Sequence, residues 1–125
     1  MDRMDDHDVD EFMLLLRREY LADAPARLAE LRKDVAALQA GELDADQSLR
    51  LRFHRLAGSG GSYGFPEVTT ISREVERWIV ENPGPLPETV TRATHALAAL
   101  EAVFDEAGAQ VVALEKKKKK EILAH

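Results

Sequence analysis

The stretch RFHRLAGSGGSYGF, Arg52 to Phe65, places four glycines within seven residues, just after a histidine. Apolar residues around it recur at helical spacing, yet each glycine inside a helix costs roughly 1 kcal/mol relative to alanine. The glycines therefore need a physical reason. On a wheel turning about 100° per residue, Leu49, Phe53, Leu56, Gly60 and Tyr63 gather on one side, which must be the buried side, and His54 falls nearly opposite. Gly60 then points inward, where a missing side chain admits a neighbouring helix. Gly58 and Gly61 lie on the solvent side and clear space around the imidazole. The face of His54 also carries Gln47, Arg50 and Ala57, with Leu51 its lone exposed hydrophobe.

The helical period extends in both directions. Upstream, Phe12, Leu15 and Leu16, then Leu28, Leu31, Val35 and Leu38, form a stripe interrupted by Pro25. Proline starts helices but disrupts their interiors, so the pattern predicts a short first helix, a kink or break near Asp23 to Pro25, and a second helical segment. Gly41 is a natural C-terminal cap, and Asp44 or Asp46 is suited to cap the helix that runs from about Asp46 to Tyr63. Gly64 suits a positive φ, Phe65 precedes proline and is pushed away from α, and Pro66 suits a first helical position. Val68, Ile71, Val75 and either Trp78 or Ile79 make the next stripe. The segment ENPGPLP, Glu81 to Pro87, ends it, and a last helix runs through Val90, Leu97, Leu100, Val103 and Phe104 into a lysine run. Short connections between amphipathic helices imply an all-α, antiparallel up-and-down bundle of four main helices with a short or kinked extra N-terminal helix.

At 125 residues the chain fits one domain, over residues 1–115, and residues 116–125 are compositionally foreign to it. Residues 1–115 hold eleven Arg and one Lys, whereas KKKKK, Lys116 to Lys120, supplies every other lysine. That segment reads as an extension of the last helix, a linker toward a further signalling domain, or a tag. There is no cysteine, which excludes a disulfide framework and thiol chemistry and suits a reducing compartment. No apolar run approaches the ~20 residues of a membrane span, and the acidic start MDRMDDHDVDEF lacks the regions of a signal peptide. The expectation is a cytoplasmic protein without a membrane span. A net charge of −6 argues against a general nucleic-acid binder.

The segment FHRLAGSGGSYGF resembles the signature of histidine-containing phosphotransfer (HPt) domains, roughly H-x-L-K-G-S-[SAG]-x-x-x-G, with His54, Leu56, Gly58, Ser59 and Gly64 at matching offsets. VTTISREVERW stands where that family carries an L-x-x-x-x-x-x-[LV]-E helix, and FMLLLRREYLADAPARLAELRKDVAALQAGE is similar to its opening segment. The resemblance spans about residues 8–105. It implies that His54 is the phosphorylated nucleophile, accepting a phosphoryl group from a receiver-domain phosphoaspartate or a relay kinase and passing it to another receiver aspartate. By the same resemblance the attacking nitrogen is Nε2, and Mg²⁺ comes with the partner receiver, no cofactor being bound by this domain. The implied partners are response-regulator receiver domains and a sensor histidine kinase, of which the chain could form one part.

One departure stands out. The family usually carries lysine three residues after the histidine, where its ammonium holds the phosphoryl group, and this chain has Ala57. Arg50, one turn before His54, or Arg73 and Arg77 from the next helix are the candidate substitutes. Gly58 and Ser59 complete the expected phosphate surroundings, and Leu51, Gly61 and Phe65 the expected docking patch. An alternative that Ala57 keeps open is a non-catalytic HPt-like module that binds a receiver or kinase without carrying phosphate. A third is a dimerisation bundle pairing acidic and lysine-rich ends, although charge runs are usually solvated. A nucleotide loop is excluded, because the glycines do not fall at G-x-G-x-x-G spacing, no strand precedes them and no G-K-[ST] follows. A metal site is not expected, since none of His7, His54, His95 and His125 has a second histidine at i+3 or i+4, and histidine alone gives little support.

Overall fold

A computed structural model describes residues 6–124, with side chains from Val9 onward. Four helices follow one another: α1 (Asp6–Gln39), α2 (Ala45–Ser62), α3 (Pro66–Glu81) and α4 (Pro87–Leu123). Each packs its apolar stripe into one core, in which Leu31, Leu38, Leu49, Phe53, Val68, Ile79 and Leu100 are fully buried. The four-helix architecture is the one the periodicity implies.

The separate N-terminal helix is not found. α1 runs without interruption through Pro25, and the reason lies in what flanks it. Tyr20, Ala24, Leu28, Leu31, Val35 and Leu38 form one continuous buried stripe, while Pro25 itself faces solvent. An interior proline costs about 3 kcal/mol, but burying each large side chain returns about 1.5–3 kcal/mol. Breaking the helix would uncouple residues on both sides of the proline from a shared core. Tertiary packing overrides the local signal.

The corners are set by backbone conformations that the sequence specifies. Gly41 and Gly64 adopt φ of 74° and 83°, in the left-handed region, and Pro66 occupies the first turn of α3. Phe65, held at φ −117° and ψ 74° ahead of the proline, turns its ring into the core. There it stacks on Tyr20 at 5.2 Å, and Tyr20 in turn stacks on Tyr63 at 4.9 Å. This aromatic cluster joins α1 to the α2–α3 corner and, through Phe104, to α4.

The expected side-chain cap at the start of α2 is absent: Asp44 takes a left-handed φ of 63° and makes no capping bond. Asp46 accepts a hydrogen bond from the Gly84 N–H at 2.7 Å instead, pinning the α3–α4 loop to α2. That bond to the charged form holds the Asp46 carboxyl below the usual carboxylate range. At the other end of the chain, α4 continues without a break from residue 115 into the lysine run.

At Gly60, α2 lies directly against the start of α3. A Cβ there would sit 2.9 Å from Val68 Cβ and 3.1 Å from the Phe65 carbonyl oxygen, whereas a Cβ at Gly58 would meet nothing within 4 Å. Gly60→Ala is expected to destabilise the fold by about 1–3 kcal/mol through overpacking. Gly58→Ala should stabilise it by up to about 1 kcal/mol through helix propensity, both read from urea unfolding. Asp46→Ala should cost about 1.5–3 kcal/mol at pH 7, the range for a hydrogen bond to a charged group. Because the folded-state pKa is depressed, this contribution is present above the ordinary carboxylate pKa and is lost as pH falls through the folded value. The two unfolding curves should therefore converge in acid.

Candidate functional site

α2 presents its exposed ridge between two grooves, one shared with α3 and one with α1. His54 stands on this ridge with its side chain 63% exposed, as the helical wheel requires. Its Nδ1 lies 2.7 Å from Oε1 of Glu76 on α3. A carboxylate can only accept, so Nδ1 carries the proton and donates it, which leaves Nε2 of the neutral ring with its lone pair. Glu76 itself is mostly buried, being only 20% exposed.

The groove beside His54 is floored by Ala57 and Gly58 on α2 and walled by Arg73, Glu76, Arg77, Val80 and Glu81 on α3. Arg73 and Arg77 are exposed, four residues apart on one helix face, and neither makes an ion pair among the described residues. Two free guanidiniums thus border the same groove as the imidazole. Arg50, the other candidate, does not line it; its Nε donates to Gln47 Oε1 one turn earlier. Ala57 proves to be buried rather than exposed, because α3 crosses over it and the Thr69 hydroxyl donates to its carbonyl at 2.6 Å. It contributes space and no charge.

Three sequence expectations are corrected by position. Ser59 lies away from the His54 groove, on the flank of α2 that faces α1, where it hydrogen-bonds the Tyr20 hydroxyl and accepts from Arg27. Five residues past His54 is about 140° around a helix, so nearness in sequence did not bring it to the imidazole. Phe65 is core and not docking surface, being 8% exposed. Gly61 stays exposed but faces Thr69 of α3 and does not line the His54 groove. Leu51 is exposed on α2 as expected, and Val80 on α3 adds an exposed apolar side chain that lines the His54 groove. Among the described residues no cluster of metal-ligating side chains occurs. His7 and His125 lie outside the described side chains.

Glu76 is the residue that sequence reasoning missed. Its signal was present in VTTISREVERW, where Val75 and Glu76 occupy the [LV]-E positions, but a carboxylate twenty-two residues away acquires meaning only once α3 lies against α2.

The family model for the Hpt domain matches residues 15–110. The chain belongs to the Hpt domain family. No curated protein and no solved structure matches it. Hpt domains serve histidine phosphotransfer in two-component systems, working with receiver domains and kinases. In this Hpt domain no described helix is long and apolar enough to cross a membrane. The Hpt match begins at Leu15 and ends at Gln110, leaving the lysine-bearing end of α4 outside it.

Replacing Glu76 by Ala removes the acceptor that fixes the tautomer. Nitrogen-15 shifts of the His54 ring should then move from the Nδ1–H pattern toward the Nε2–H pattern, with only a small change in unfolding temperature because the His54 end of the pair is exposed. Unchanged ring shifts would mean that Glu76 does not set the tautomer.

Proposed function

We propose that this Hpt domain is a phosphocarrier in which Nε2 of His54 accepts a phosphoryl group from a receiver-domain phosphoaspartate and returns it to the aspartate of another receiver. The observation that supports this most directly is the exposed imidazole whose Nδ1–H is engaged by Glu76, leaving Nε2 as the available nucleophile.

The step balances without proton transfer. The Nε2 lone pair attacks phosphorus in line as the phosphorus–oxygen bond to the aspartate breaks, and the aspartate leaves as a carboxylate. The product ring bears the phosphoryl group on Nε2 and its original proton on Nδ1, and so gains positive charge. Glu76, 2.7 Å from Nδ1, offsets that charge electrostatically. Mg²⁺ held by the partner receiver would spread charge over the transferring oxygens. On this chain the corresponding role falls to Arg73 and Arg77, which border the groove where the family's lysine is replaced by Ala57. Leu51 on α2 and Val80 on α3, both exposed, supply apolar contact for the docked receiver.

Incubating the chain with a panel of phosphorylated receivers should place an acid-labile, base-stable label on His54, absent from His54→Gln although that variant folds. Arg73→Ala combined with Arg77→Ala should slow phosphoryl transfer about 10–1000-fold, the range for losing charge stabilisation of a transition state. A chain that binds a receiver yet gains no label would be a non-catalytic adaptor instead, the reading that Ala57 keeps open.

A further inference from the structure

We propose that the groove on the α1 side of the ridge, formed by Arg27, Arg55 and Ser59, is a docking subsite for a carboxylate side chain on the receiver partner. This rests on the phosphocarrier reading for the identity of the partner, and adds a determinant that the partner must carry.

The groove has a volume of about 300 Å³ and is bordered by three guanidiniums, those of Arg27, Arg52 and Arg55, and by one carboxylate, that of Glu30. Arg52 is already neutralised, since it bonds both Glu30 and Asp34. Arg27 and Arg55 make no ion pair among the described residues. Arg27 is moreover half-buried and held in place, its guanidinium 4.9 Å above the Tyr20 ring and its Nη1 donating to Ser59 Oγ at 3.2 Å. The remaining donors of its planar fork have no partner among the described residues and lie at the groove. Such a preorganised fork matches the two oxygens of a carboxylate. Arg55, exposed one residue after His54, supplies a second cation at the same opening.

The position makes the requirement strict. Neighbouring helices pack about 8–10 Å apart, so this groove opens roughly one helix width from the imidazole. A stable interface covers about 800 Å² of each partner, and a receiver seated on His54 therefore covers Arg27 and Arg55 as well. Burying two guanidiniums without an opposing charge is unfavourable, whereas a carboxylate placed between them relieves the desolvation and fixes the orientation of the complex. The overall charge of −6 sharpens the contrast, because an acidic partner is repelled by the chain as a whole and attracted at this face.

The test measures affinity for the receiver that labels His54 fastest in the panel, using unphosphorylated receiver and the His54→Gln chain, so that binding is read without transfer. Arg55→Glu should weaken binding at least about tenfold and remove most of its dependence on salt, as expected for a close interfacial charge pair. Arg55→Lys should weaken it far less. Arg27→Ala should act like Arg55→Glu. Should Arg27→Ala unfold the chain by losing the Tyr20 contact, the exposed Arg55 variants decide alone. Affinity and salt dependence unaffected by Arg55→Glu would overturn the subsite, as would an equal loss with Arg55→Lys, which would mean shape and not charge is read. Failure of the carrier reading looks different: wild-type chain binds a receiver with the same charge dependence but no label reaches His54.

Discussion

The approach of α3 to α2 across Gly60 is the constraint from which the site follows. A single missing Cβ lets Val68 and the Phe65 carbonyl occupy the space where an alanine methyl would sit, and the Thr69 hydroxyl then reaches the Ala57 carbonyl on the next turn. With the two helices at that separation, Glu76 meets His54, and Arg73 and Arg77 border the same groove. A wider spacing would leave the imidazole on an isolated helix face with neither its proton acceptor nor its neighbouring cations.

The glycines of this segment divide the work. Gly60 trades helix propensity for proximity on the inner side, while Gly58 leaves open space on the outer side beside the imidazole. Gly64 ends the segment in a left-handed conformation, after which Pro66 starts α3 in the direction that makes the approach possible. The aromatic cluster of Tyr20, Tyr63, Phe65 and Phe104 locks that corner against α1 and α4. At the opposite end Asp46 ties α2 to the α3–α4 loop through Gly84. The pair α2–α3 is thus tied at both ends, with the ridge carrying His54 between the two ties.

Charge is distributed to match. The chain is acidic overall, yet the two grooves flanking His54 hold arginines, of which Arg52 alone among Arg27, Arg52, Arg55, Arg73 and Arg77 is neutralised by carboxylates of the described residues. Exposed ion pairs elsewhere, such as Arg18 with Glu115 and Arg92 with Glu88, add little stability. The positive charge left unpaired on the ridge face is available to a negatively charged partner.

Helical period, the Gly41, Gly64 and Pro66 corners and the exposure of His54 were all legible in the sequence, because each depends on contacts within a few residues of one helix or turn. The Hpt resemblance was legible for the same reason, as a pattern of local offsets. Three things were decided only by tertiary structure. Pro25 remains inside α1 because a core shared by residues on both sides of it outweighs its local cost. Ser59 and Phe65 leave the site because packing against Tyr20 claims them. Glu76 enters it because α3 crosses α2 at a fixed distance. A one-dimensional period states which face a residue occupies, but not what another helix brings to that face, and the hydrogen bond at His54 Nδ1 depends on the second.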